Sequence, residues 1–153
     1  MSSRLDYCNS LYTCLSRQAM ARLQVVQNSA ARLLTRTHRR THITPILASL
    51  HWLPIAFRVD FKILLITYKA LHGLAPAYIT ELLSPYQTNR PLRSSDKALL
   101  AVPESRLKMK GDRAFSITAP RLWNSLPLEL RTAESVSSFK TKLKTHLYRL
   151  AYN

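Results

Sequence analysis

Apolar residues recur every three to four positions over much of the chain, the spacing that predicts helices. Residues 3–15 read as a short first helix. Ser16 then serves as an N-cap, and a longer helix is predicted over residues 17 to about 36. At about 100° per residue, Met20, Leu23, Val26, Ala30, Leu33 and Leu34 share one half of that helix. Arg17, Arg22, Arg32 and Arg36 share the other, joined by Arg39 and Arg40 if the helix runs that far. The pattern predicts an apolar half that packs and an arginine half that faces outward.

Thr44 before Pro45 marks a second start, with Pro45 at the first helical position of a short helix over residues 45–50. Residues 55–72 form the strongest helical pattern, stopped by Gly73. Its apolar residues cover most of the circumference and leave Arg58, Lys62 and Lys69 in a narrow polar stripe, as in the central helix of a bundle. Asp60 falls on the apolar side and is expected to pair with a neighbouring base. Pro76 opens another short helix, and residues 84–93 read as a loop. Residues 98–103 and 113–119 read as two short strands, because Phe115, Ile117 and Ala119 alternate with Ser116 and Thr118. Trp123 anchors a turn-rich stretch over 120–127. Ser135 or Ser137 caps a last helix to about residue 152, with Val136, Phe139, Leu143, Leu147 and Leu150 as its apolar stripe. The predicted fold class is mainly α: a helical bundle over 1–84, a linker over 85–97, then a short β-hairpin and a C-terminal amphipathic helix over 98–153.

Composition adds a partner class. The 153 residues, 46% hydrophobic and 20% charged, suit a globular chain with a real core. Only two glycines argue against a glycine-rich phosphate loop. The 23 Lys+Arg against 8 Asp+Glu leave a net charge of +15. A field of that size favours nucleic acid first, and an acidic protein or anionic membrane second. A solvated basic surface without a partner is the bland alternative. Cys8 and Cys14 make no disulfide framework, and the start lacks an apolar leader. The most apolar stretch, "ILLITYKAL", is too short to span a bilayer. A cytoplasmic or nuclear setting without membrane follows as the expectation.

Candidate chemistry is sparse. The eight acids are scattered, and no paired aspartates, GxSxG, Walker loop or HExxH occurs. Cys8, Cys14, His38 and His42 mimic a zinc set, but five residues separate the cysteines and the stretch to His38 is too long. The tyrosine-rich context of Cys8 suits a buried thiol instead. No enzyme, metal or cofactor is therefore expected. Arg22, Arg32, Arg36, Arg39 and Arg40 form a candidate nucleic-acid surface, with Arg106, Lys108, Lys110 and Arg113 as a second patch. Guanidinium forks suit phosphate oxygens, and phosphate contacts dominate non-specific affinity. Thr35, Thr37 and Thr41 add hydroxyls, and His38 and Tyr86 are candidate stacking residues as well as ordinary surface ones. The alternative is a solvated face whose last arginines complement the helix dipole. No acid among them to pair argues against it.

"SRLDYCNSLY", "LQVVQNSAARLLTRTHRRTHITPILASLHWLP", "DFKILLITYKALHGLAPAYITELL", "LRSSDKALLAVP" and "GDRAFSITAPRLWNSLP" occur in this order. Together they resemble the C-terminal part of the reverse-transcriptase polyprotein of LINE-type non-LTR retrotransposons, from about residue 3 to 150. The resemblance implies that the endonuclease and the catalytic palm, with its paired aspartates, lie upstream of this region. It also implies that Met1 marks a truncated copy or a late start. No catalytic residue carries over, so the chain is expected to be a non-catalytic fragment of an RNA-directed DNA polymerase. Residues 3 to about 40 would correspond to thumb-like helices that hold RNA or DNA through its backbone, without sequence preference and beside the upstream polymerase domain. Two other readings stay open. One is a co-opted interaction module that docks a partner through Trp52 and Trp123; the other is an inert remnant.

Overall fold

A computed structural model describes residues 6–86, 98–104 and 111–153. The chain is mainly helical, and its contacts divide it into two compact units. One comprises Met1–Phe61 with Lys144–Asn153, the other Lys62–Leu143.

The first unit opens with a 3-10 helix over Asn9–Cys14, where the pattern predicted an α-helix. Helix α1 spans Arg17–Thr35, and Ser16 caps it as predicted, its Oγ accepting the Ala19 N–H at 3.2 Å. The helix stops at Arg36, which turns left-handed at φ 51°, while the Thr37 N–H donates to the Arg32 carbonyl at 3.0 Å. Arg39 and Arg40 therefore lie in the loop beyond the helix.

The packed face of α1 is not its most apolar one. Gln27 and Ala31 are buried, whereas Val26, Leu33 and Leu34 are exposed. The reason is a set of amide bonds. Gln27 Nε2 donates to the Leu53 carbonyl at 2.8 Å, and Gln24 Oε1 accepts the Ile55 N–H at 2.9 Å. Ile55 is the first residue of helix α3, Ile55–Leu71, so Gln24 satisfies a donor that the helix itself leaves open. A second amide bond, from Gln24 Nε2 to Asn28 Oδ1 at 2.8 Å, steadies that side chain. These bonds fix which side of α1 faces residues 53–55, because a buried carbonyl or helix-end N–H left unpaired is costly.

Helix α2 spans Ile43–Ser49 and starts two residues before the predicted Pro45. Pro45 is third in the helix, where the backbone N–H has no intrahelical acceptor to lose. Ala31, Ile46 and Leu47 form the core of this unit, with Ile43, Leu50, Trp52 and Tyr152 packed against it. Two tyrosines secure the chain end: Tyr148 donates to the Ala48 carbonyl at 2.9 Å, and Tyr152 to the Trp52 carbonyl. Burial, with Tyr148 beside it, pushes the Tyr152 phenol up to about 12, so it stays a donor.

In the second unit α3 ends as predicted. Gly73 takes φ 68°, and the Leu74 N–H closes on the Lys69 carbonyl at 2.8 Å. Helix α4 is the single turn Ala77–Thr80. Among the described residues the predicted β-hairpin is absent. Residues 115–119 belong to helix α5, Phe115–Ser125, which buries Ile117, Ala119, Pro120 and Trp123. Residue 100 instead makes one isolated antiparallel bridge to Pro85. Two side chains of α5 hold that segment. Asn124 exchanges both amide bonds with the Leu100 backbone, at 2.9 and 2.8 Å, and Trp123 Nε1 donates to the Ala98 carbonyl at 2.8 Å. Extended backbone is thus paired by side chains, and alternation over five residues was too short to exclude a helix.

Helix α6, Leu128–Arg131, leads to α7, Val136–Tyr152, capped by Ser135 through the Ser138 N–H at 3.2 Å. Phe139, Leu143 and Leu147 of its stripe are buried, but Leu150 is exposed. Tyr68 stacks on Phe139 with ring centroids 4.3 Å apart and donates to the Ala133 carbonyl at 2.7 Å. Trp123, only 1% exposed, packs on the same Phe139. It is a core residue and offers nothing to a docking partner.

Candidate nucleic-acid interface

The end of α1 and its following loop bring three of the predicted arginines together. Arg32, Arg36 and Arg39 line an open cleft of about 450 Å³ with Ser29, Leu33 and Thr37. The left-handed turn at Arg36 produces this arrangement, because it folds Arg39 back beside the last helical turn. Arg32 is half-buried; its Nη2 donates to the Thr41 carbonyl at 3.3 Å, while its Nε is sealed from water without an acceptor. That contact fixes one edge of the guanidinium. Arg40 is exposed next to the cleft, its N–H donating to His38 Nδ1 at 3.3 Å.

Arg22 is not part of this group. It lies ten residues before Arg32, ~15 Å away along the helix axis. The second patch is not assembled either. Arg106, Lys108 and Lys110 lie outside the described residues, and Arg113 is half-buried with a partner of its own. The predicted threonine donors are partly committed: Thr35 Oγ1 donates to the Ala31 carbonyl at 2.9 Å and lies 2.7 Å from the Thr37 hydroxyl. They brace the turn that carries the arginines.

Charge around the cleft is one-sided. Between Asp6 and Asp60 the sequence holds no acid, and Asp6 is engaged at 2.9 Å by Arg58. Clustered guanidinium groups repel one another, so an anion that bridges them lowers the energy of the site. Phosphate oxygens suit it in geometry and charge.

Other chemistry finds little footing. Among the described residues no three His, Cys, Asp or Glu gather around a common point. Cys8 is exposed, contrary to the buried thiol its context suggested. Asp60 is not the ion-paired acid expected of it. Burial alone pushes its carboxyl up to about 6, and a nearby base would have pulled it down. A second cleft of about 470 Å³ in the other unit mixes Glu129 and Glu134 with Lys142 and Ser138, a lining of both signs that selects no simple anion. No described helix is long and apolar enough to cross a membrane.

Sequence reading overlooked Ser29 and Leu33 as cleft residues, because it assigned Leu33 to the packed half. The available signal was the amide-rich Gln24, Gln27 and Asn28, spaced three and four apart along a competing face. The chain matches no protein family, no curated protein and no solved structure.

Proposed function

We propose that this chain is a non-catalytic nucleic-acid-binding segment that holds RNA or DNA backbone, without sequence preference, in the cleft at the end of α1. The observation that carries the reading is the convergence of Arg32, Arg36 and Arg39 on one cleft, in a stretch with no acid from residue 7 to 59. Arg40 extends the positive surface. The motif resemblance to the C-terminal region of LINE-type reverse transcriptases supports it, since a thumb-like helix would carry such a surface beside an upstream polymerase domain. The segment would then work in the cytoplasm or nucleus.

Four phosphate contacts give a log–log salt slope of about −3 to −4. The test is fluorescence anisotropy of labelled single-stranded RNA and duplex DNA, from low to moderate salt. Arg32, Arg36, Arg39 and Arg40 changed together to Gln will weaken binding to both and flatten the slope, with circular dichroism unchanged. Equal affinity and slope in parent and variant would remove the cleft from the mechanism.

A further inference from the structure

The exposed face of α1 carries a feature that phosphate binding does not use. Val25, Val26 and Leu33 stand on the solvent side, with Leu33 83% and Val25 62% exposed. Arg22, Val25 or Val26, Ser29 and Leu33 follow one another at steps of three and four, so they form one continuous ridge over three turns. The small Ser29 and the half-buried Ala30 leave a dip in its middle. That is the surface a second helix reads when ridges pack into grooves.

Charge decides among occupants. A second copy of this chain would add +15 to +15, with no acid on this face to offset it. A lipid surface fits poorly, because Arg22 lies between Val25 and Val26 around the helix and would enter hydrocarbon with them. Nucleic acid would satisfy Arg22 and leave the valines uncovered. A helix with its own apolar stripe flanked by carboxylates meets both needs: it covers the ridge and pairs with Arg22.

We propose that the solvent face of α1, from Arg22 to Leu33, docks an acidic amphipathic helix of another protein. The site shares Ser29 and Leu33 with the phosphate cleft, at their common edge. Val25 and Val26 belong to the docking face alone.

The test uses the full chain and a synthetic peptide of roughly 20 residues with leucines on one face and glutamates on the other. A scrambled peptide of identical composition controls for charge, and oligouridine reports on the cleft. The patterned peptide should bind at least about tenfold tighter than the scrambled one. Val25→Ser with Val26→Ser should abolish that difference while leaving oligouridine affinity and the helical circular dichroism unchanged. The proposal is overturned if both peptides bind alike, or if the difference survives in the double variant. It is equally overturned if oligouridine is weakened in step, or if sedimentation shows a dimer of the parent chain that the variant dissolves. Absence of oligouridine binding in the parent would count against the phosphate cleft alone.

Discussion

Asp60 shows how one side chain sets a pH dependence. Its carboxyl is raised from 3.8 to about 6 by burial, so the folded chain binds the proton more tightly than the unfolded one. Stability therefore rises as pH falls from about 6 toward 4 and stays at its lower level above 6, as far as this group is concerned. Asp60→Asn should stabilise the chain at pH 7 by about 2 kcal/mol, after allowance for partial solvent screening. Urea titrations of parent and variant should converge by pH 4; a constant difference would refute the assignment. Gln27 makes the complementary case. It is fully buried, and its amide is the donor to the Leu53 carbonyl. Gln27→Leu keeps the bulk and leaves that carbonyl unpaired, at a cost of about 1–3 kcal/mol. The urea midpoint should fall while the slope of the transition stays the same.

At the level of elements, Arg36 couples helix termination to charge. A left-handed φ of 51° strains any side chain but glycine's. Arg36→Gly should raise thermal stability by about 1 kcal/mol while weakening RNA binding, two changes of opposite sign read by calorimetry and anisotropy. If both fall, the residue also packs. Helix ends were legible in advance: Ser16, Gly73 and Ser135 act through bonds to their near neighbours, which local sequence specifies. The 115–119 segment was not. Its alternation suits a strand, yet the same residues place Ile117 and Pro120 on one helical face, and Trp123 completes it.

Across the whole molecule, the charge opposes folding and would favour the proposed binding. Salt screens the self-repulsion of a +15 chain but would compete for the phosphate contacts proposed for it. Raising salt from 0.02 to about 0.15 M should therefore raise the melting temperature and lower RNA affinity in the same preparation. Trp123→Ala tests the core of the second unit. Losing its contacts with Tyr68 and Phe139, and its bond to Ala98, should cost about 3–5 kcal/mol. A loss of that size in chemical denaturation would agree with a core role; an unchanged midpoint would contradict it.

The sequence by itself determined the helical character, the positions of most helix ends and the sign of the net charge, because periodicity, capping and charge are local or additive properties. The arginines could be named from it, although their grouping could not. Only the tertiary structure decided which side of α1 is buried, since that turned on Gln24 and Gln27 meeting backbone groups 31 and 26 residues away. The same distant bonds left Val25, Val26 and Leu33 in solvent, and the turn at Arg36 gathered three charges into one cleft. Buried polar groups must find partners, and no local pattern reports which carbonyl will be waiting across the fold.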